Sequence, residues 1–327
     1  MSDSLRISAV IPAYNAEPFL RRSIDSAMAQ TFKPLEIIII DDGSTDGTAE
    51  IAKSYGDAVS YVYQENAGAS AARNTGISAS QGDWIAFLDV DDEWRPHHLE
   101  NAVNILENHP ELKWYGAPVN QYIQETGKLI AEYVKKEPGI LIDNAYFEDY
   151  MVAFPPYAHL SPQTMVIHKS VFEKVGKFDP KRQVGCDIDM WYRIGLHFPK
   201  VGYCHEVAAN IYRRSTSLSY TTIKLFKKSL ERIREHEVLA ENLGADARQR
   251  AEPRIMYWVT KLLKASISKG DYPAVREIFD IYKKRLSPRW RWLASIFLLT
   301  PWAVGLLFTM RNTISTKQRS FQAHGLR

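Results

Sequence analysis

The chain has 327 residues, 45% hydrophobic and 24% charged, which suits one large folded domain or two ordinary ones and excludes a disordered or collagen-like chain. Two cysteines, Cys186 and Cys204, exclude a disulfide-built scaffold and fit a reducing compartment. The net charge of +3 is unevenly spread: residues 1–219 hold 20 Lys and Arg against 29 Asp and Glu, residues 220–327 hold 21 against 9, and no acid follows Asp280.

Met1 to Arg6 are polar and the apolar run after them is short and broken by Pro12, so the start does not read as a secretory leader. Leu5 to Ile11 predicts a first strand, ended by Pro12-Ala13-Tyr14-Asn15. Glu17 to Gln30 has helical spacing, with Phe19, Leu20, Ile24 and Ala27 on one side. Leu35 to Ile40 is too continuously apolar for a sheet with one wet face. It ends in Asp41-Asp42-Gly43-Ser44-Thr45-Asp46, rich in turn and N-cap residues, ahead of a helix over Thr48 to Tyr55. Ala58 to Tyr63 is a third strand, and Asn66-Ala67-Gly68 turns into a small-residue helix, Ala69 to Ser80, that carries Arg73 and Asn74. Trp84 to Leu88 is a fourth strand and runs straight into Asp89-Val90-Asp91-Asp92.

Strand–helix alternation with short connectors predicts right-handed βαβ crossovers and a mostly parallel α/β sheet flanked by helices. Its strand ends then deliver Tyr14, Asp41, Asp42, Asp89 and Asp91 to one edge, where open α/β sheets bind ligands. Clustered carboxylates repel one another unless a cation sits among them, and their oxygens suit Mg²⁺ or Mn²⁺. Arg73 is a cation that can balance the acids or hold a phosphate. Each residue also has a plainer reading: acids solvated in a turn or capping a helix, a tyrosine packed over the sheet edge, an arginine on a wet helix face. No G-x-G-x-x-G follows the first strand and no G-x-x-x-x-G-K-[ST] occurs, which disfavours a dinucleotide dehydrogenase and a P-loop NTPase.

Four stretches in order, Ile11-Pro-Ala-Tyr-Asn15, Ile40-Asp-Asp-Gly-Ser-Thr-Asp46, Asn66-Ala-Gly-Ala-Ser-Ala-Ala-Arg-Asn-Thr-Gly76 and Phe87-Leu-Asp-Val-Asp-Asp92, together resemble the family 2 glycosyltransferases. These are inverting enzymes of the GT-A fold, a Rossmann-like fold of nucleotide-diphospho-sugar transferases. The resemblance covers about residues 5–215. It implies a nucleotide-diphosphate sugar donor, most often a UDP-sugar, and a divalent metal, Mg²⁺ or Mn²⁺. By position it implies that Tyr14 and Asp41 contact the base, with Pro12 in the same donor-binding set and Asp42 or Asp46 nearby. Arg73 would hold the nucleotide, Asp89 would contact the ribose or the metal, and Asp91 of this DXD motif would ligate the diphosphate-bound metal.

Glu111 to Val134 loosens into hairpin strands about a Thr126-Gly127-Lys128 turn. Lys135 to Tyr157 is less regular and reads equally as an acceptor-side lid or a structural insert. Ser161 to His168 resembles the family's strand before its Gly-x-Phe-Asp turn, here Gly176-Lys177-Phe178-Asp179, and His168 reads as structural. Cys186-Asp187-Ile-Asp189-Met-Trp191 resembles the family's Glu-Asp-x-Asp-x-Trp helix start. The resemblance places Asp187 as the general base that takes the acceptor hydroxyl's proton, and the plainer reading is an acid favoured by the helix dipole. Asp189 reads as structural or acceptor-orienting, and Cys186 replaces the usual Glu. Ser215 stands where the family often has a metal-binding His, so either the metal keeps a water there or Arg213 and Arg214 take part of the diphosphate charge.

Thr222 to Leu239, Arg254 to Ile267 and Pro273 to Leu286 have apolar residues at helical spacing and predict a basic helical appendage. Leu293 to Met310 carries no charge and lies between Pro288-Arg289-Trp290-Arg291-Trp292 and Arg311. Trp and Arg at its flanks suit a membrane interface, and a basic tail beside an apolar segment fits an anionic membrane better than nucleic acid. A buried core helix is the alternative.

The sequence therefore predicts a GT-A domain over 1–219, with a nucleotide-binding half 1–110 and an acceptor half 111–219, and a helical region over 220–327 with the apolar segment 293–310. The expected function is transfer of a sugar to a glycan or polyprenyl-linked acceptor in surface polysaccharide synthesis, at the cytoplasmic face of the cell membrane, peripheral or monotopic through 288–311, without nucleic acid. The alternatives are a nucleotidyltransferase of similar fold, which usually has a Gly-rich phosphate loop after the first strand, and a non-catalytic sugar-nucleotide-binding or scaffold protein.

Overall fold

A computed structural model describes residues 5–131, 141–154, 160–182, 185–214 and 226–299. The chain divides into two compact units, Met1–Thr222 and Ile223–Arg327.

The first unit opens with β1 (Ile7–Ala13), α1 (Leu20–Met28), β2 (Glu36–Asp42), α2 (Thr48–Lys53), β3 (Ser60–Gln64), α3 (Ala69–Ala79) and β4 (Trp84–Phe87). β3, β2, β1 and β4 lie side by side and parallel. Every residue of β1 and β4 is buried, as is β2 from Ile37 on, as continuous apolar runs covered on both faces require. β1 runs two residues past the predicted end and takes in Pro12, which pairs with Ile40. A proline inside a sheet lacks a donor, but here nothing is lost. Val10 turns its carbonyl to Leu88 N on the β4 side, Pro12 shares that orientation, and β4 has ended at Phe87. α1 starts at Leu20, later than Glu17, because the amides of Ala16 and Glu17 donate to the side chains of Thr48 and Asp46.

The second half adds β5 (Glu93–Trp94), α4 (His98–Asn108), β6 (Trp114–Gly116), β7 (Val119–Ile123), β8 (Leu129–Ala131), β9 (Tyr146–Phe147) and α5 (Tyr150–Ala153). Then come β10 (Val166–His168), α6 (Lys169–Val175), α7 (Cys186–His197), β11 (Val201–Tyr203) and β12 (Ala209–Arg213). Among the described residues the main sheet has the order β3-β2-β1-β4-β10-β6-β11-β9, with β10 antiparallel to both neighbours. A smaller sheet, β5-β12-β7-β8, contains the predicted hairpin, with Gly127 at φ 64° in its turn. Of the two readings of Lys135 to Tyr157, the described part is structural: Phe147, Tyr150 and Phe154 are buried in an aromatic cluster with Trp114 and Tyr203.

The second unit holds α8 (Phe226–Asn242), α9 (Ala245–Ser268), α10 (Tyr272–Tyr282) and α11 (Pro288–Leu299). Leu230, Val259, Leu263, Val275, Ile278 and Phe297 form its buried seams. α9 begins nine residues before the predicted Arg254 and carries Pro253 inside it. α11 covers the first part of the apolar segment, with Ala294 and Phe297 buried while Trp292 is 64% and Leu299 81% exposed. The rest, 300–310, lies outside the described residues. No described helix is long and apolar enough to cross a membrane.

Candidate active site

The end of β2 is knitted into its surroundings by neutral donors. Asp41 has no accessible surface; it accepts from the Tyr61 hydroxyl at 2.6 Å and the Ser44 amide at 2.9 Å. Burial, then this bond to Asp41, pushes the Tyr61 phenol well above its ordinary pKa. Asp42 accepts from Gln64 Nε2, Ala67 N and Gly68 N, and so fixes the loop that starts α3. Gly68 has φ +89°, a conformation that suits glycine, and this aims its amide at Asp42. Asp46 accepts from the Thr48 hydroxyl and amide and from Glu17 N, joining the loop after β1 to the loop after β2.

These positions show how the acids expected at the site are held. Asp41 and Pro12 are buried at the sheet edge. Asp42 and Asp46 spend their oxygens on loop amides and side chains. Tyr14 is different: the residue is 54% exposed beyond the end of β1, not packed over the sheet.

The end of β4 is held by cations instead. Asp89 accepts from Arg73 Nη2 at 2.6 Å and from Gln163 Nε2 at 2.7 Å, one on each carboxylate oxygen. Asp91 accepts from Arg214 Nη2 at 3.0 Å, and its carbonyl accepts from Arg22. Arg22 lies 3.9 Å from the centre of the Tyr212 ring, which stacks on Tyr122 and is anchored through its hydroxyl to Glu93. Desolvation and the neighbouring Asp89 raise the Asp91 pKa, with Arg214 opposing. Asp92, 2% exposed, is pushed up further by burial and by Asp91 and Asp89, while Tyr212 N donates to it at 2.9 Å.

Arg73 joins this turn to α7. Its side chain is 7% exposed, with Nη2 on Asp89 and Nη1 3.8 Å from Cys186 Sγ. Burial alone would lower its pKa, but Asp89, Cys186 and Asp187 together hold it above the ordinary value. The helix can come this close because Gly76, one turn after Arg73, has no side chain: a Cβ there would meet Val10 Cγ1 at 2.2 Å. Asn74 clamps the Gly176–Asp179 turn through both the Phe178 carbonyl and amide, and Phe178 packs edge-on to Phe87 and Trp191. Asp189 is structural, bound to Arg193 at 3.0 Å, whose other nitrogens hold three carbonyls of residues 175–177. His168 is structural as well: its ring accepts from Ser170 N and meets Trp84 edge-on.

The sequence reading missed Gln163 and Arg22. Gln163 lies in a 3₁₀ turn ahead of β10, and only its polar neighbourhood before an apolar strand marks it. Arg22 is one arginine of an ordinary amphipathic helix. Among the described residues no group of three or more His, Cys, Asp or Glu side chains is placed to hold a metal ion. Asp91, with Asp89 beside it, instead suits an ion held by one or two carboxylates and completed by phosphates and water, the habit of Mg²⁺. Ser215 lies outside the described residues.

Known proteins resemble this chain in sequence and in fold. An uncharacterized glycosyltransferase of Rickettsia typhi is 34% identical over 207 residues, 62% of this chain and 62% of that protein. The chain thus spans about three fifths of the length of the first curated relatives it matches. GlyA of Streptococcus pneumoniae, a glycosyltransferase, is 44% identical over 98 residues, 29% of this chain and 14% of GlyA. Among solved structures, residues 1–349 of S. aureus TarS in complex with UDP-GlcNAc superpose with a TM-score of 0.68 at 15% identity, over 96% of this chain and 92% of that one. This shows a shared GT-A fold. The sequence pattern of glycosyl transferase family 2 matches residues 8–176, more than half of the chain and all of the strand ends that carry Tyr14, Asp89 and Asp91. The chain therefore belongs to glycosyl transferase family 2.

Proposed function

We propose that this enzyme transfers a sugar, with inversion, from a nucleotide-diphosphate donor, a UDP-sugar, to a hydroxyl of a glycan or lipid-linked acceptor. The observation that carries the reading is the bridge made by Arg73: one nitrogen on Asp89 at the end of β4, the other facing the start of α7, where Asp187 follows Cys186. One buried cation thereby links the turn after β4 to the start of α7, which supports reading Asp187 as the base of the same site.

In this reading Tyr14 offers an exposed ring for the base to stack on, with Asp41, Asp42 and Asp46 fixing the loops around it. Asp89 orients Arg73 and stands near the ribose. Asp91, with Asp89, would hold Mg²⁺ or Mn²⁺, which when bound stabilises the charge that gathers on the leaving diphosphate. Arg73 adds a fixed positive charge beside the same place. Asp187, in the first turn of α7, takes the acceptor proton as the hydroxyl attacks the sugar carbon from the face opposite the diphosphate. Trp292 and Leu299, exposed on α11 in the basic second unit, support contact with an anionic membrane surface at its cytoplasmic side and so an acceptor carried on a polyprenyl lipid in polysaccharide synthesis.

Asp187→Asn tests the assignment. Donor binding, read by thermal shift with UDP-sugars and Mn²⁺, should be retained while transfer falls by about 10³-fold. Transfer at near wild-type rate in this variant would overturn the role of Asp187.

A further inference from the structure

Among the described residues three arginines reach the acidic turn after β4, and they are held very differently. Arg73 is buried beside Phe178 and bonded to Asp89. Arg22 is pinned over Tyr212 and bonded to a carbonyl, which cannot leave. Arg214 is 40% exposed, rests 4.9 Å from the centre of the Phe19 ring, and meets Asp91 through a single 3.0 Å contact. Asp91 is therefore neutralised by the one arginine of the three whose contact with the turn is both exposed and made to a carboxylate.

A carboxylate that is satisfied by Arg214 is not available to a divalent cation until that contact breaks. The released guanidinium cannot lose its proton, so it stays a charge that an anion held close by would attract. A diphosphate held over the same carboxylate is such an anion, and its oxygens match the planar guanidinium fork. We propose that Arg214 is a diphosphate-binding residue that is exchanged: it pairs with Asp91 when no donor is present, and moves onto the donor diphosphate when a divalent cation takes Asp91. No bond is made or broken, and the charge balance of Asp91 is kept throughout. Binding of cation and of diphosphate then become coupled, each favouring the other. The inference rests on the donor and metal reading given above.

The test is binding, not turnover. Mn²⁺ affinity is measured by electron paramagnetic resonance without nucleotide, and UDP affinity by calorimetry at saturating Mn²⁺, for the full chain and for Arg214→Gln. Removing the competing cation should tighten Mn²⁺ alone by about fivefold, while losing the diphosphate contact should weaken UDP by about fivefold. Arg214→Lys, which keeps the charge but not the fork, should leave Mn²⁺ alone unchanged and weaken UDP by about threefold. Arg22→Gln should not move the two affinities in opposite directions, and Asp91→Asn should remove Mn²⁺ binding in either background. If Arg214→Gln leaves Mn²⁺ affinity unchanged or weaker, or leaves UDP affinity unchanged, the exchange does not occur. If the wild-type protein binds neither Mn²⁺ nor UDP, the donor reading itself falls, and this inference with it.

Discussion

β2 and β4 are neighbours of β1 on either side, both buried, both ending in acids, yet the acids have opposite partners. Asp41 and Asp42 accept only from neutral groups: a phenol, an amide side chain and three backbone amides. Asp89 and Asp91 face arginines. Neutral donors from the chain itself complete a network that stands without any ligand. Cations that meet an acid at a partly exposed edge can be exchanged for a metal or redirected to a phosphate. An acid cluster is thus better judged by the charge of its partners than by the number of its carboxylates.

The comparison breaks most visibly in a matched pair of variants. Asp91→Asn should lower turnover by about 10³-fold, the scale of losing electrostatic stabilisation at the leaving group. It should not lower the melting temperature, because desolvation and Asp89 already disfavour the charged form of Asp91. Asp42→Ala should do the reverse, costing about 3 kcal/mol of stability through three lost bonds to a carboxylate, with donor affinity falling only as the loop at 66–68 loosens. Turnover and thermal melts on both variants check this. A stable but inactive Asp42→Ala protein would erase the distinction.

Gly76→Ala comes next, because α3 serves both ends: its start is held by Asp42 and its Arg73 reaches Asp89. A Cβ 2.2 Å from Val10 Cγ1 pushes the helix off β1. The expected cost is about 2 kcal/mol, as for other overpacked sites, with a fall in turnover as Arg73 withdraws. Adding Val10→Ala should restore both. Melting curves and rates of the single and double variants decide it.

Much of this was legible in the sequence for definite reasons. Continuous apolar runs stopped by acids marked β2 and β4, and the small residues of 69–80 marked a helix that can lie close to a sheet. The division of labour among the acids was not legible. Tyr61 reaches Asp41 from 20 residues away, Gln163 reaches Asp89 from 74, and Arg214 reaches Asp91 from 123. Such partners are set by strand order, and the antiparallel β10 beside β4, which brings Gln163 in, has only three residues of pattern to announce it. The same holds for β5 against β12, a two-residue ladder that seats Tyr212 over Asp92.

The smallest effect is the sharpest in sign, because the two ends titrate in opposite directions. Burial would raise Asp46, but hydrogen bonds from Thr48 and Glu17 outweigh it and leave the folded pKa below 3.8. Its contribution to stability is present above that unfolded value and is lost as pH falls through the lower, folded one. Asp92 is raised by burial and by Asp91 and Asp89, so its ionised form weakens the fold at neutral pH, and that penalty disappears as pH falls through its folded pKa toward 3.8. In urea melts of the metal-free protein from about pH 7 into the acid range, Asp46→Asn should be less stable than wild type at neutral pH, with the gap narrowing as pH falls below the unfolded value of 3.8. Asp92→Asn should be more stable than wild type at pH 7, with the gap closing well before the Asp46 curves converge. Differences of the same sign for both variants would mean that burial and the neighbouring acids do not govern Asp92, and that the acids after β4 are held as those after β2 are.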